Sequence, residues 1–277
     1  MRRSLRQRQT LASFDYQWGH IPDGDAMLSD AWFLANVDRI VADELLAVER
    51  GWFAGRTALD AGCGGGRWTL GLLRLGCRVV AVDASAHAVA GTRAQVERLL
   101  PEAIAQGRLE TAAVDLLSLP ESLTERRFDL VFSFGVLHHT GETRRALANV
   151  ARLVAPTGMM FLYLYASRSA PAAARALLKT VRVALAPIPF AAKRAVLARL
   201  LPHRDTHQTF DLLSPLINET HTAETVAAWL REDGFTDVAR TLPHADLFLR
   251  ATRRDSAIPS RPPPPPPYWF ERYRRRS

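Results

Sequence analysis

Short apolar runs alternate with longer amphipathic stretches along the chain from about residue 57 onward. This alternation is typical of βαβ units, in which a helix connects two parallel strands of one sheet. The pattern predicts five parallel strands, at residues 57–61, 78–83, 109–114, 128–134 and 158–165. It also predicts helices between them, at residues 67–75, 86–100 and 142–153.

The C-terminal part of the chain continues with one helix and two strands. The helix is predicted at 222–233, because Gly234 is the residue type that commonly follows a helix end. Strands predicted at 236–242 and 246–252 are separated by three residues, few enough for an antiparallel hairpin. The sequence therefore predicts an α/β fold with a doubly wound, Rossmann-like sheet of seven strands, five parallel plus a C-terminal antiparallel hairpin.

The remaining segments are expected to surround this sheet. Six consecutive prolines at 262–267 exclude a helix and a central strand, so an extended or disordered Pro/Arg-rich tail is predicted. The predicted division begins with a helical N-terminal cap at 1–50 and a core at 51–166. A helical lid follows the fifth strand at 167–221. The last helix and hairpin of the core are predicted at 222–253, and the tail at 254–277.

The net charge of +8 is unevenly distributed along the chain. Residues 1–8 carry four arginines and no acids, and residues 253–277 carry seven arginines against two acids. Residues 168–204 carry eight basic side chains and no acids. The predicted core is consequently acidic, and an acidic core disfavours nucleic acid as a partner.

Cysteine content and hydropathy indicate the compartment. The chain has two cysteines, Cys63 and Cys77, which excludes a disulfide framework and a four-cysteine metal site. The chain contains no run of about 18 uncharged apolar residues of the kind that spans a membrane. We expect a soluble, cytoplasmic protein.

The strongest chemical signal follows the first predicted strand, in the sequence Asp60-Ala-Gly62-Cys-Gly64-Gly-Gly66. Glycines after a strand let the backbone approach a nucleotide-like ligand closely. A dinucleotide fingerprint would need glycine where Arg67 stands, and a phosphate-binding P-loop would need Gly-Lys-Ser/Thr. Two further carboxylates end later strands: Asp83 ends the second, and Asp115 follows the third.

An acidic residue followed by Gly-x-Gly-x-Gly resembles the first motif of the class I S-adenosylmethionine (SAM)-dependent methyltransferases, and the resemblance covers about residues 56–165. It implies SAM as cofactor. Asp60 would then hold the aminoacyl end, Asp83 the ribose and Asp115 the adenine amino group. The other implied cofactor residues are Gly62, Cys63, Gly64 and Gly66 of the loop, Ala84 and Leu116 beside the carboxylates, and Phe134 at the end of the fourth strand.

The resemblance implies an enzyme that moves a methyl group to an acceptor by in-line displacement. That reaction needs alignment of the reactants and exclusion of water more than side-chain chemistry. If the acceptor is a hydroxyl, a histidine base would assist, and His138, His139 and His221 are the candidates. For His138 and His139, the alternative to a catalytic role is a structural one. For His221, the alternative is that it only marks the start of a helix capped by Thr222.

The acceptor is predicted to be a small molecule, in contact with aromatic residues of the cap and of the fifth strand. These are Tyr16, Trp18, Trp32 and Tyr163, although simple packing of the cap explains the first three equally well. The first motif is like that of the ubiquinone-pathway O-methyltransferases. Those enzymes carry glutamates in the segment where this chain has Gly135 and His138, so neither a metal site nor a quinone-precursor substrate is expected.

Two alternative functions stay open, an RNA or protein methyltransferase and a SAM-binding protein without catalysis. The acidic core argues against the first, as does the lack of an Asn/Asp-Pro-Pro-Tyr/Phe stretch after the fourth strand.

Segment 168–204 interleaves apolar and basic residues, a pattern that can lie on an anionic membrane surface. We favour a solvated lid, because Pro187 and Pro189 interrupt its helix. The tail is a candidate for binding a protein partner.

Overall fold

The computed structural model describes residues 3–21, 26–167, 171–200, 206–254, 256–262 and 264–274. Its centre is a seven-stranded sheet with the order β3-β2-β1-β4-β5-β7-β6. The strands are β1 (Thr57–Ala61), β2 (Arg78–Asp83), β3 (Leu109–Ala113), β4 (Phe128–Phe134), β5 (Val154–Leu164), β6 (Asp237–Arg240) and β7 (Leu247–Thr252).

The pairing of these strands confirms the predicted fold class. Strands β1 to β5 are mutually parallel, whereas β7 runs antiparallel to both β5 and β6. Bounds of β1, β2 and β4 coincide with the prediction, and those of β3 and β7 differ by one residue. The C-terminal hairpin lies at the edge of the sheet beside β5.

Helices of the described chain cover both faces of the sheet. They are α1 (Leu5–His20), α2 (Ala31–Arg39), α3 (Arg67–Arg74), α4 (Ala86–Leu99), α5 (Pro101–Ala105), α6 (Glu121–Thr124), α7 (Thr143–Ala151), α8 (Ala172–Leu185), α9 (Phe190–Leu200), α10 (Thr206–Leu213), α11 (Ala223–Glu232) and α12 (Trp269–Arg274). A π-helix at Ile40–Leu46 continues α2, and short 3₁₀ helices lie at Ala26–Ser29, Arg50–Phe53 and Leu137–His139.

Alternate residues of each central strand enter opposite hydrophobic layers, as the period-two geometry of a strand requires. In β4, Leu130 and Phe132 belong to the layer formed with α2, the π-helix and α3. Val131 between them belongs to the layer formed with α7 and α11. All three side chains are fully buried. The core therefore holds β1 and β4 rigidly, and with them the loops that follow these strands.

One strand begins earlier than predicted, for a local reason. Strand β5 begins at Val154 rather than at residue 158, because the turn-like sequence Ala155-Pro156-Thr157-Gly158 lies inside the strand as an irregularity. Phe128 pairs with Val154, and the next aligned pair is Leu130 with Met159. The extra residues are absorbed there, as in a β-bulge.

The tail does not behave as predicted over its described part. Ser260 forms a β-bridge with Val48, and the backbone N–H of Arg261 donates to the carbonyl of Ala47 at 2.8 Å. Trp269 in α12 is only 6% exposed and packs within the main core cluster. The prediction of an extended or disordered tail at 254–277 is therefore wrong for these residues, because buried aromatic surface after the prolines anchors the segment.

The inserted lid consists of α8, α9 and α10. Residues 168–170 and 201–205, which include Arg168 and Arg204 of the predicted basic insert, lie outside the described residues. Within the described ranges, no helix is long and apolar enough to cross a membrane.

Candidate functional site

The carboxyl ends of β1 and β4 lie side by side at the middle of the sheet. From β1 the chain proceeds to β2 and β3 on one side, and it then returns to β4 and β5 on the other. Loops that leave two neighbouring strands in opposite directions open a crevice between them, where doubly wound sheets bind their ligands. Here the crevice lies between the glycine loop at 62–66 and the segment at 135–139.

The glycine loop has a backbone that other residue types would strain. Gly62, Gly64 and Gly66 have φ values of 94°, 51° and 87°, in the left-handed region that favours glycine. The N–H groups of Gly62 and Cys63 both donate to the carbonyl of Val82, at 2.7 and 3.0 Å. These two hydrogen bonds tie the loop to β2. Because both N–H groups are already used within the protein, the loop contributes to ligand binding mainly by letting the ligand approach the backbone closely, and less by donating hydrogen bonds from these two groups.

Asp60, at the end of β1, is a buried carboxyl group with an incomplete set of partners. It is 1% exposed, and its Oδ2 accepts a hydrogen bond from the Thr69 hydroxyl at 2.6 Å. Within the described chain Oδ1 has no partner. Burial raises the pKa of Asp60 to about 7, with the nearby Asp83 charge adding to the rise and the Thr69 bond opposing it. One carboxylate oxygen therefore remains available to a donor.

Asp83, at the end of β2, bonds to two backbone donors with its two carboxylate oxygens. Oδ2 accepts from the N–H of Gly64 at 3.1 Å, and Oδ1 accepts from the N–H of Ser85 at 2.9 Å. Burial raises its pKa, and these backbone bonds, together with one from Ala84, oppose the rise. Asp83 thereby connects the glycine loop to the start of α4, where Ser85 is the N-cap.

Asp115, just after β3, pairs with a residue that the sequence did not indicate. Its Oδ2 accepts from Nε and Nη2 of Arg3 at 3.0 and 2.7 Å, and Oδ1 accepts from the N–H of Leu117 at 3.0 Å. Leu116 beside it is buried, and its carbonyl accepts from Nδ2 of Asn149 at 2.9 Å. Asp115 is therefore fixed in place, although Arg3 already occupies one of its oxygens.

Helix α1 lies across the glycine loop. A Cβ at Gly64 would be 2.6 Å from the ring of Trp18, so the tryptophan rests directly on the loop. One turn earlier, Asp15 accepts from the Ser85 hydroxyl at 2.7 Å and pairs with Nδ1 of His87 at 3.0 Å. The N-terminal cap thus covers the crevice from the side of β2.

The opposite wall of the crevice begins at the end of β4. The ring of Phe134 stacks on Tyr163 at 4.4 Å between centroids and lies 4.8 Å from the ring of Trp68. Val136 contacts the glycine loop, since a Cβ at Gly62 would overlap its side chain. The wall next to the loop is therefore aromatic and apolar.

The two histidines after β4 are deeply placed in a 3₁₀ turn. His138 is fully buried, and neither of its ring nitrogens has a partner within the described residues. His139 is 8% exposed, and its Nδ1 lies 2.9 Å from the carbonyl oxygen of Ile217. Burial lowers the pKa of both, that of His138 well below its usual range. Both rings are consequently neutral near pH 7.

His221 lies beside this pair, where Thr222 caps α11. Its backbone N–H donates to the carbonyl of Tyr165 at 3.1 Å, and its ring packs edge-on against Trp229 at 5.1 Å. Burial lowers the pKa of His221. His221 does lie at the start of the helix, as considered from the sequence, and its charge would act on His138.

The predicted acceptor residues are separated in space. Trp18 lies on the glycine loop, and Tyr163 lines the aromatic wall with its hydroxyl donating to Asp246 at 3.1 Å. Tyr16 instead packs among the lid helices against Phe190 and Phe210, with centroids 5.5 and 5.8 Å away.

Trp32 belongs to α2 and packs against the core cluster on the sheet face. Packing therefore accounts for the positions of Tyr16 and Trp32. Their acceptor role stays a prediction.

Known proteins match this chain over the region that contains the crevice. Residues 59–160 match a family model described as a methyltransferase domain. A mitochondrial ubiquinone biosynthesis O-methyltransferase of Schizosaccharomyces pombe is 37% identical over 118 residues, 41% of this chain and 39% of the relative. The ubiquinone biosynthesis O-methyltransferase of Rhizobium rhizogenes is 30% identical over 190 residues, 68% of this chain and 62% of the relative. Over the region that holds the crevice, the chain is similar to methyltransferases of the class I SAM-dependent family.

Solved structures share the fold of this chain. An O-methyltransferase family protein of Burkholderia thailandensis is similar over 85% of this chain and 59% of its own length, with a TM-score of 0.53 and 18% identity. A chain in the complex between the Haloferax volcanii Trm112 methyltransferase activator and a methyltransferase is similar over 86% and 96%, with a TM-score of 0.54 and 14% identity. The match to the curated relatives spans 39% to 62% of their length.

The residues of the crevice suit SAM, the cofactor of the methyltransferases that this chain resembles. The unpartnered buried Oδ1 of Asp60 is an acceptor that an ammonium group can use. Asp83 ends β2, where a carboxylate can accept from ribose hydroxyls, and its oxygens keep further lone pairs. Burial raises the pKa of the Cys63 thiol well above its usual range, with Asp83 and Asp60 adding to the rise. Cys63 is therefore an uncharged loop residue.

Proposed function

We propose that this protein transfers a methyl group from SAM to a hydroxyl oxygen of a small molecule. One observation carries the proposal: three carboxylates, Asp60, Asp83 and Asp115, end or follow three adjacent parallel strands around one glycine loop. Such an arrangement offers separate acceptors for the ammonium, ribose and adenine groups of one extended ligand. The relatives' name, O-methyltransferase, supports oxygen as the attacking atom.

The charged residues divide the binding of SAM between them. Asp60 accepts from the ammonium group with its unpartnered oxygen, and Asp83 accepts from the ribose. Asp115 faces the adenine amino group while it keeps its ion pair with Arg3. The aromatic wall of Phe134 and Tyr163 lies beside the acceptor.

The chemistry that SAM supplies is a methyl group on a sulfonium, whose departure leaves a neutral thioether. The protein aligns the acceptor hydroxyl with that carbon and keeps water out, and α1 contributes by covering the loop. The acceptor oxygen forms the new bond to carbon, the carbon–sulfur bond breaks, and the hydroxyl proton passes to a histidine nitrogen. The buried histidines can accept it because they are neutral near pH 7.

The experiment has two stages. Calorimetric titration with SAM, with NAD as the control ligand, is expected to show one SAM site and no NAD binding. Incubation with SAM and a set of phenols and catechols is then read by mass spectrometry for the gain of one methyl group. Failure to bind SAM contradicts the proposal outright. Binding of SAM with methyl gain only on amines or thiols contradicts the choice of oxygen.

A further inference from the structure

Several buried or half-buried polar groups, two of them with unpartnered buried atoms, gather behind the aromatic wall. They come from the turn after β4, the end of β5 and the lid helices α8 and α10. Their members are His138, His139, Tyr165, Arg182 and Asp211. The sequence did not single out Tyr165, Arg182 or Asp211, because they come from elements far apart along the chain.

His139 is oriented for proton transfer. A carbonyl oxygen can only accept, so the 2.9 Å contact with Ile217 requires the proton of the neutral ring to be on Nδ1. The lone pair is then on Nε2, which makes no hydrogen bond to any residue in the described ranges. The ring of Phe14 from α1 lies 4.9 Å away, edge-on. His139 is therefore held in one tautomer with its basic nitrogen free.

His138 has no such orientation. Its ring lies 4.1 Å from that of His139 and 4.2 Å from that of Tyr165, and within the described chain neither nitrogen has a partner. Burial, with the neighbouring charges of His139 and His221, lowers its pKa well below the usual range. A weaker base without a fixed tautomer is the poorer candidate of the two.

Asp211 on α10 provides a carboxylate for this cluster. Its Oδ2 accepts from the Tyr165 hydroxyl at 3.5 Å, and its Oδ1 is buried without a partner in the described structure. Arg182 on α8 is 8% exposed, and its Nε donates to the carbonyl of Leu212, the residue after Asp211, at 2.8 Å. The two lid helices thus bring a buried cation and a half-buried carboxylate, whose Oδ1 atom is itself buried, to the same place. Buried charges with incomplete hydrogen bonding are costly, which argues for a role beyond packing.

We propose that Asp211 is a positioning residue for His139, and that Nε2 of His139 takes the proton of the acceptor hydroxyl. This inference rests on the proposed function. As the acceptor oxygen bonds to the methyl carbon and the carbon–sulfur bond breaks, the O–H proton moves to Nε2 and His139 becomes an imidazolium. The carboxylate of Asp211 stabilises that positive charge.

The electrostatics of the cluster agree with this geometry. Burial lowers the pKa of His139, and the Asp211 charge and the Ile217 carbonyl oppose that effect, whereas Arg182 adds to it. The groups that face His139 are His138 in its own turn, Tyr165 just after β5, Arg182 on α8 and Asp211 on α10. Without the carboxylate, His139 would be a weaker base.

The test is a histidine nitrogen NMR titration of the full ¹⁵N-labelled protein, with a His139→Gln variant for assignment. In the unaltered protein, we expect Nδ1 of His139 to carry the proton near pH 7. Asp211→Asn is expected to lower the His139 pKa by roughly one pH unit, the order expected for loss of a nearby charge. Asp211→Glu keeps the negative charge, so the His139 pKa should be close to that of the unaltered protein. Asp237→Asn, an exposed change on the edge strand β6, is the matched control and should leave it unchanged.

Kinetics give a second readout, on the phenol or catechol that gains a methyl group in the screen. Because the base acts in its neutral form, activity rises with pH through the His139 pKa. Asp211→Asn should lower kcat by up to about tenfold, leave the KM for SAM unchanged and move the acid limb of the pH–rate profile to lower pH. A residue that is only structural would lower activity without moving that limb.

The outcomes separate this inference from the proposed function. A proton on Nε2 in the unaltered protein, which depends on no variant folding, overturns the inference. So does an unchanged His139 pKa in Asp211→Asn. If SAM does not bind, the proposed function fails, whatever the titration shows. If SAM binds and a hydroxyl is methylated while Asp211→Asn behaves as the unaltered protein, only the positioning role fails.

Discussion

Replacing Asp60 by asparagine should make the protein more stable at alkaline pH while weakening its hold on SAM. The carboxyl group is 1% exposed, and its one side-chain partner among the described residues is Thr69, at 2.6 Å. Burial raises its pKa from the ordinary value of 3.8 to about 7 in the folded protein. Asparagine has nearly the same shape and cannot ionise.

The magnitude follows from the difference between the folded and unfolded pKa values. A folded pKa above the unfolded one means that the stabilising contribution is complete below about pH 4 and is lost as the pH rises through about 7. At 1.36 kcal/mol per pH unit, the contribution lost between pH 4.5 and pH 8 is about 3 kcal/mol. The asparagine variant has no such loss at this position.

Urea denaturation of both proteins at several pH values between 4.5 and 8 measures the effect. The other titrating groups contribute equally to the free energy of unfolding of wild type and Asp60→Asn, so their contributions cancel in the difference between the two proteins. This difference should shift in favour of the variant by about 3 kcal/mol across this range. Calorimetry at pH 8 should show weaker SAM binding by the variant. A difference in unfolding free energy that stays constant with pH would refute the reasoning.

Three further changes test other parts of the structure. Asp83→Ala should weaken SAM binding roughly tenfold to a hundredfold, the range for lost charged hydrogen bonds, and near-normal affinity by calorimetry would count against the ribose role. Gly64→Ala should lower the melting temperature, since its φ is 51° and its Cβ would be 2.6 Å from the Trp18 ring. The control Gly91→Ala, in helix α4 with nothing within 4 Å of its Cβ, should raise it, and equal effects would contradict the steric argument. Trp269→Ala should cost about 3–5 kcal/mol in urea denaturation, whereas a loss below about 1 kcal/mol would mean that the tail is not anchored there.

Hydrophobic periodicity was enough to predict the central sheet. Strands β2 and β4 carry apolar runs, at 79–82 and 130–132, because both of their faces are buried, and this signal depends only on local sequence. The glycine loop and the positions of Asp60 and Asp83 were predictable for the same reason. A parallel strand places its last residue at the same edge of the sheet as its neighbours.

Long-range contacts were beyond the reach of the sequence patterns. The turn-like residues 155–158 lie inside β5, since a Cβ at Gly158 would be 2.8 Å from the backbone oxygen of Asp129 and the glycine allows this close approach. The proline run correctly excluded a helix or central strand. The aromatic residues after it, Tyr268-Trp269-Phe270, were the signal for docking, because a solvated tail has little use for three adjacent aromatic side chains. Arg3 and Asp211 reach the site only through the folding of α1 and α10 over the sheet.

A crystal structure of the full chain grown with S-adenosylhomocysteine, the demethylated product of SAM, would show where the cofactor lies. We expect the ligand across the carboxyl ends of β1, β2 and β3, with its ammonium at Asp60, its ribose at Asp83 and its adenine beside Asp115. Electron density for the ligand elsewhere, or a crevice that stays closed by α1 at saturating ligand, would contradict this expectation.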